Sequence, residues 1–117
     1  MKVLILPNFE KENCFDVVSR VIDQLNKDNV EVLALDDAKN NIKHDISFIS
    51  RENINRDISF AIAIGGDGTI IKAANLILEY DIPLIGINLG TLGFLAGIEK
   101  DEIELLHNLV VGKYEIE

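Results

Sequence analysis

Cysteine is almost absent. Cys14 stands alone, so no disulfide can form within the chain, and the fold has to rest on its core. That usage suits a reducing compartment, and a cytoplasmic location is expected. Long apolar runs are missing as well. None approaches the roughly 20 residues of a membrane-spanning helix. Met1-Lys2 leads into a short apolar segment ending at Pro7, not into the long hydrophobic region of a secretory signal. Basic residues are scarce: 11 Lys and Arg stand against 20 Asp and Glu, a net charge of −9. Such a surface repels nucleic acid and anionic lipid, so neither partner is expected. It repels nucleotides too. A nucleotide site here needs local hydrogen-bond donors, a metal, or basic groups from elsewhere. Repeats and low-complexity linkers are absent.

What is present is a hydrophobic content of 48% in 117 residues, enough for one domain with a real core. Lys2–Leu6 reads as a buried strand. A helix is predicted over Phe15–Lys27, capped by Asn13, with Val18, Val21, Ile22 and Leu25 on one stripe. Val30–Leu35 reads as a second strand, closed by Asp36-Asp37. Residues 38–57 are polar, with a short strand allowed at Ile46–Ile49 and a loop at Asn53-Ile54-Asn55. Ile58–Ile64 is an almost unbroken apolar run, as in a central strand covered on both faces. Thr69–Tyr80 then reads as a helix with Ile70, Ala73, Ala74, Ile77 and Leu78 inward. Ile82–Ile87 is another buried strand, followed by a glycine-rich loop over 88–97. Asp101 and Glu104 form a capping box for a last helix ending near Val111, and Gly112 closes it.

Strands alternating with helices imply an α/β fold: a three-layer α/β/α domain around a parallel sheet. The Ile58–Ile64 and Ile82–Ile87 runs are expected to be neighbouring parallel strands in mid-sheet. Ligands bind such sheets outside the carboxyl ends of the strands, and both glycine-rich segments belong at that edge.

The first of these segments is Gly65-Gly66-Asp67-Gly68-Thr69, between a buried strand and a helix. Glycines let a ligand approach the backbone, and the helix start offers unpaired N–H groups and a positive dipole end suited to phosphate. A carboxylate in such a cradle repels phosphate unless it has another task. Asp67 fits two tasks: accepting a proton from an attacking hydroxyl, or holding Mg²⁺ directly or through water. From these residues alone, a plain turn in which Asp67 caps the helix is equally open. Two familiar phosphate loops are excluded. A Walker A loop needs Lys-Ser or Lys-Thr where this chain has Thr69-Ile70. A dinucleotide fingerprint needs glycines after the first strand, where this chain has Pro7-Asn8-Phe9. Asp36-Asp37 would suit a ribose in a Rossmann frame, but without that fingerprint a strand-end turn is the default.

The second segment is Gly86-Ile87-Asn88-Leu89-Gly90-Thr91-Leu92-Gly93-Phe94-Leu95. Asn88 supplies a donor and an acceptor at a strand end. Phe94, between glycines, either presents a face to a planar base or plugs the core under the loop. His44 and His107 are far apart with no ligand spacing, so no metal site is indicated. Cys14, at a helix start, is read as a packing residue.

The two segments together, GGDGTIIKAA and then IPLIGINLGTLGFLAGI, resemble the paired signature of the NAD kinases, spacing included. Lipid kinases also carry Gly-Gly-Asp-Gly, but with a Pro-x-Gly-Thr-x-Asn-Asp segment that this chain lacks. The strong match covers Ile64–Ile98, and the first loop, Pro7–Asn13, departs from the small and basic residues often found there. The resemblance implies the N-terminal domain shared by phosphofructokinases and NAD kinases, over residues 1–112. It implies phosphoryl transfer from ATP or inorganic polyphosphate to the 2′-hydroxyl of the NAD adenosine ribose, with Mg²⁺ or another divalent cation. It places Asp67 as base and ribose contact, and Gly66, Gly68 and Thr69 at the phosphate-facing turn. Leu92, Gly93 and Phe94 would border the NAD site. Lys72 sits where the family is commonly basic, although a solvent-facing helix lysine accounts for it equally. Asn88 is counted with the nucleotide-binding set, and the intact family enzyme is expected to be a homo-oligomer. The family's second, β-rich domain carries an Asn-Glu pair. No such pair follows Phe94, so 113–117 is read as the start of that domain, and the piece alone is expected to be inactive. A non-catalytic nucleotide-binding module and a lipid-kinase-like domain are the alternatives.

Overall fold

The computed structural model describes residues 1–89 and 98–99. Leu92, Gly93, Phe94, the helix read over 101–111 and the strand start at 113–117 lie outside the described residues. Among the described residues six strands form one parallel sheet: β1 (Lys2–Pro7), β2 (Glu31–Leu35), β3 (Ser47–Ile49), β4 (Phe60–Gly65), β5 (Leu84–Asn88) and β6 (Ile98–Glu99). Their order is β3-β2-β1-β4-β5-β6, and every pairing is parallel. The two apolar runs become β4 and β5, paired from Ala61↔Leu84 to Gly65↔Asn88.

The side-chain alternation of the strands divides the core in two. Val3 and Ile5 of β1 and Phe60, Ile62 and Ile64 of β4 point to the side of α1 (Cys14–Lys27). Leu4 and Leu6, with Ala61 and Ala63, point to the side of α2 (Asp67–Ile77). The β4 strand thus presents large side chains to α1 and alanines to α2. Helices on both faces require that both sides of β4 be apolar, which explains its unbroken run. The chain winds one way from β1 to β2 and the other way from β4 to β5, so the winding reverses between β1 and β4.

Several local expectations change. Asn13 stands at the N-cap of α1 but in the left-handed region (φ 67°), and its side chain makes no capping bond. The Val17 N–H instead donates to the Asn13 backbone carbonyl at 3.1 Å. The buried stripe of α1 is wider than the four residues named, taking in Cys14 and Val17. Helix α2 begins at Asp67 and gives way to a 3-10 turn at Leu78–Tyr80. Ala74 and Leu78, read as inward, both face outward, Leu78 being 76% exposed. Ala74 and Leu78, four residues apart, share a helix face beside the buried Ile70, Ala73 and Ile77 stripe but outside it. Asp36-Asp37 opens a 3-10 turn over Asp36–Asn41, and Arg51–Asn53 forms another.

Cys14 is wholly buried in the α1-side core. Burial pushes its thiol from 9.0 up to about 11, against a smaller opposing effect of a backbone hydrogen bond with Asn8. The thiol is therefore not activated by the helix start. A pKa raised on folding contributes stability that is complete below pH 9 and is lost as pH rises through the folded value near 11. Urea titrations at stepped pH should show this loss between those limits. The fall should be shallower in Cys14→Ala, whose lower overall stability reflects the cavity. Equal slopes in the two proteins would remove the thiol from the alkaline transition.

Candidate functional site at the winding reversal

The carboxyl ends of β1, β4 and β5 are tied together. The Asn8 N–H donates to the Ile64 carbonyl at 2.8 Å, and the Leu89 N–H donates to the Gly65 carbonyl at 2.9 Å. The chain leaving β4 therefore emerges between the chains leaving β1 and β5. Gly65 ends the strand, and Gly66, in extended conformation (φ −96°, ψ −171°), is the N-cap of α2. Gly66 accepts the first helical bond, from Ile70 at 3.1 Å. The amides of the first helical turn then have no partner within the helix and carry its positive dipole end.

Three glycines do three different things here. A Cβ on Gly65 would lie 2.5 Å from Thr69 Oγ1 and 2.7 Å from Thr69 Cβ, so only glycine lets α2 seat on the strand end. A Cβ on Gly66 would lie 3.2 Å from Cε and 3.4 Å from Nζ of Lys11, placing that ammonium over the turn. A Cβ on Gly68 would meet nothing within 4 Å. Gly68→Ala should therefore keep or slightly raise the melting temperature, alanine being the better helix former by up to about 1 kcal/mol. If the open space belongs to a ligand, nucleotide affinity should fall in the same variant. A melting temperature several degrees lower would show instead that the glycine serves the fold.

Asp67 occupies the first helical position. Its Oδ1 is buried and has no hydrogen-bond partner among the described residues. A buried carboxylate oxygen left without a donor is costly, and this one makes no capping bond that would account for it. Asn88, opposite Gly65 at the end of β5, is the one buried polar side chain among the described residues. Thr69 is held from the first loop, where Asn8 Nδ2 donates to its Oγ1 at 3.3 Å. Asn8 is itself fixed by the Glu10 N–H, which donates to its Oδ1 at 3.0 Å.

On the α2 side of the reversal lies a cleft of about 810 Å³. One wall is a stripe of α2: Thr69, Lys72, Ala73 and Leu76. The opposite wall carries Asp37 and Ala38 after β2, with Asn8 and Glu10 of the first loop and Arg51. Leu6 and Leu35 contribute apolar lining. Lys72 is thus exposed but faces this cleft.

The structure brings Gly66, Asp67, Gly68, Thr69 and Asn88 to one edge and Lys72 to the adjoining cleft. Sequence reasoning passed over Asn8, Lys11 and Arg51, and set Asp37 aside as part of a strand-end turn. The one usable signal was position: Asn8 and Lys11 follow β1, and Asp37 follows β2, at the ligand-binding edge of the sheet. His44 contacts Asp23 at 3.5 Å, away from this edge. No helix among the described residues is long and apolar enough to cross a membrane.

These features define a class, a doubly wound α/β domain whose winding reversal carries a glycine turn with a carboxylate in it. The chain belongs to the NAD kinase family: the model described as ATP-NAD kinase N-terminal domain matches residues 3–114. It is 37% identical over 114 residues to the NAD kinase of Natranaerobius thermophilus, covering 97% of this chain and 40% of that protein. It is 35% identical over 118 residues to the bifunctional NADP phosphatase/NAD kinase of Methanocaldococcus jannaschii, covering all of this chain and 20% of that protein. The structure of yeast NADH kinase complexed with NADH superposes with a TM-score of 0.80 at 19% identity, covering 97% of this chain and 38% of the other. That likeness establishes the fold. The chain thus spans about 40% or less of the proteins it matches.

Proposed function

We propose that this domain supplies the catalytic carboxylate and the phosphate-facing turn of an enzyme that phosphorylates NAD to NADP. The observation that carries the reading is the buried, unpartnered Oδ1 of Asp67 at the head of α2, in a member of the NAD kinase family. Asp67 accepts the proton of the 2′-hydroxyl on the NAD adenosine ribose. The freed oxygen attacks the terminal phosphorus of the donor, and the bond from that phosphorus to the bridging oxygen breaks, leaving NADP and the shortened donor. The first-turn amides of α2 and the Lys11 ammonium over Gly66 offset charge on the transferred group, as positioned dipoles and cations do in phosphoryl transfer. Leu92, Gly93 and Phe94 are assigned to the NAD side of the turn, and Asn88 anchors the strand from which they follow.

Mg²⁺ fits this donor set in one way. Among the described residues no three His, Cys, Asp or Glu side chains gather to hold a metal. Mg²⁺ is commonly held by one or two carboxylates plus substrate phosphates and water, and Asp67 would hold it through water beside the donor phosphates. When bound, the ion neutralises phosphate charge.

The test is NADP formation from NAD by the longest natural protein that carries this chain, with ATP and polyphosphate as alternative donors. Nucleotide binding without NADP formation would favour a non-catalytic module.

A further inference from the structure

The cleft beside α2 has a chemistry that the glycine turn does not use. It carries two cations, Lys72 and Arg51, two carboxylates, Asp37 and Glu10, and an apolar lining from Leu6, Leu35, Ala73 and Leu76. A chain of phosphates alone would need only the cations and would be repelled by the carboxylates. A nucleoside triphosphate uses all three: cations for its phosphates, a carboxylate for the ribose diol and an apolar surface for the base. The volume of about 810 Å³ falls within the range of pockets that enclose ligands of this size.

Topology singles out one carboxylate. The end of β2, beside β1, lies at the carboxyl edge of the sheet where such domains hold ligands, so an acidic residue there is within reach of a ligand in the cleft. Asp37 stands two residues past Leu35, the last residue of β2, and lines the cleft across from α2. In the linear sequence the pair Asp36-Asp37 reads as a bare turn, and the tertiary structure brings Asp37 to the wall of the cleft. Asp36, its neighbour, does not line the cleft. We propose that Asp37 binds the ribose hydroxyls of a nucleoside triphosphate phosphoryl donor. The donor lies in the cleft with its phosphates toward Thr69 and the head of α2. Asp37 is thereby a residue that selects a nucleotide donor over inorganic polyphosphate. The inference rests on the proposed kinase activity for its reaction but not for its binding mode.

The experiment uses the longest natural protein containing this chain. Calorimetry measures the binding of ATP, 2′,3′-dideoxy-ATP and inorganic tripolyphosphate, and steady-state assays measure KM for each donor and for NAD. Asp37→Asn should weaken ATP relative to tripolyphosphate by about 10- to 100-fold, the scale of lost hydrogen bonds to a charged group. Dideoxy-ATP should show the same weakening in the unmodified protein and little more in the variant. The KM for NAD should stay the same, which separates the donor ribose from the acceptor ribose. Asp36→Asn, with the same charge change outside the cleft, should leave the ATP-to-tripolyphosphate ratio unaltered. An unchanged ratio in Asp37→Asn, an equal shift in Asp36→Asn, or a shift in NAD instead would overturn the assignment. Should no NADP form with any donor, the kinase reading fails, while the binding measurements still decide the role of Asp37.

Discussion

Asp67→Asn, placed in the longest natural protein that carries this domain, should slow NADP formation by about 10²- to 10⁴-fold, the usual worth of a positioned general base. Asparagine keeps the shape of the side chain and its place in the first turn of α2. It cannot accept the hydroxyl proton, and it brings no negative charge to a metal-bound phosphate. The loss should appear in kcat, with KM for NAD changing by a few-fold at most. Stability should hold or rise, because the substitution removes a charged group whose Oδ1 is buried without a partner. That combination, a slow enzyme that melts no earlier, separates a reacting carboxylate from a structural one. Near-normal turnover together with a lower melting temperature would return Asp67 to a role in holding the helix start.

Gly65→Ala should fail for a different reason. The added methyl would sit 2.5 to 2.9 Å from three side-chain atoms of Thr69, including its Cβ, which is fixed to the backbone of α2. No rotamer of Thr69 removes the contact with Cβ, so the helix start itself has to move. Overpacking of this kind costs roughly 1–3 kcal/mol, or several degrees in melting temperature for a domain of this size. The displacement also breaks the bond from Asn8 to Thr69 and shifts Asp67, so activity should fall with stability. Thermal melts of Gly65→Ala, Gly66→Ala and Gly68→Ala should rank in that order of damage. Gly66→Ala is intermediate because the flexible end of Lys11 can retreat. Equal melting temperatures across the three would mean that the turn does not hold α2 as tightly as the strand end implies.

Much of this arrangement was legible in the linear chain because burial repeats at short range. A strand covered on both faces has to be apolar throughout, so the Ile58–Ile64 run, which holds most of β4 (Phe60–Gly65), could be placed in mid-sheet from its residues alone. A helix with one buried face shows its stripe at helical spacing, which located α1. The reading went wrong where a local choice depended on distant packing. Ala74 and Leu78 continue the apolar pattern of α2, yet both face outward, beside the Ile70, Ala73 and Ile77 stripe that packs into the core. Asn13 is a favoured capping residue by type. Its left-handed backbone leaves the helix start to a main-chain bond instead.

The chain's own residues settle its alternating architecture, the position of the Gly65–Thr69 turn between strand and helix, and its kinship with the NAD kinases through the paired glycine motifs. These are properties of neighbouring residues, and period, glycine and charge express them directly. Tertiary structure alone decides which segments meet. Asn8 reaches Thr69 across 61 residues of sequence, Lys11 covers Gly66, and Asp37, Arg51 and Lys72 share one cleft. Those contacts follow from the strand order, which places β1 beside β4 and reverses the winding between them. That order is chosen by the packing of both sheet faces against both helices at once, a sum over the whole core that no short stretch of sequence carries.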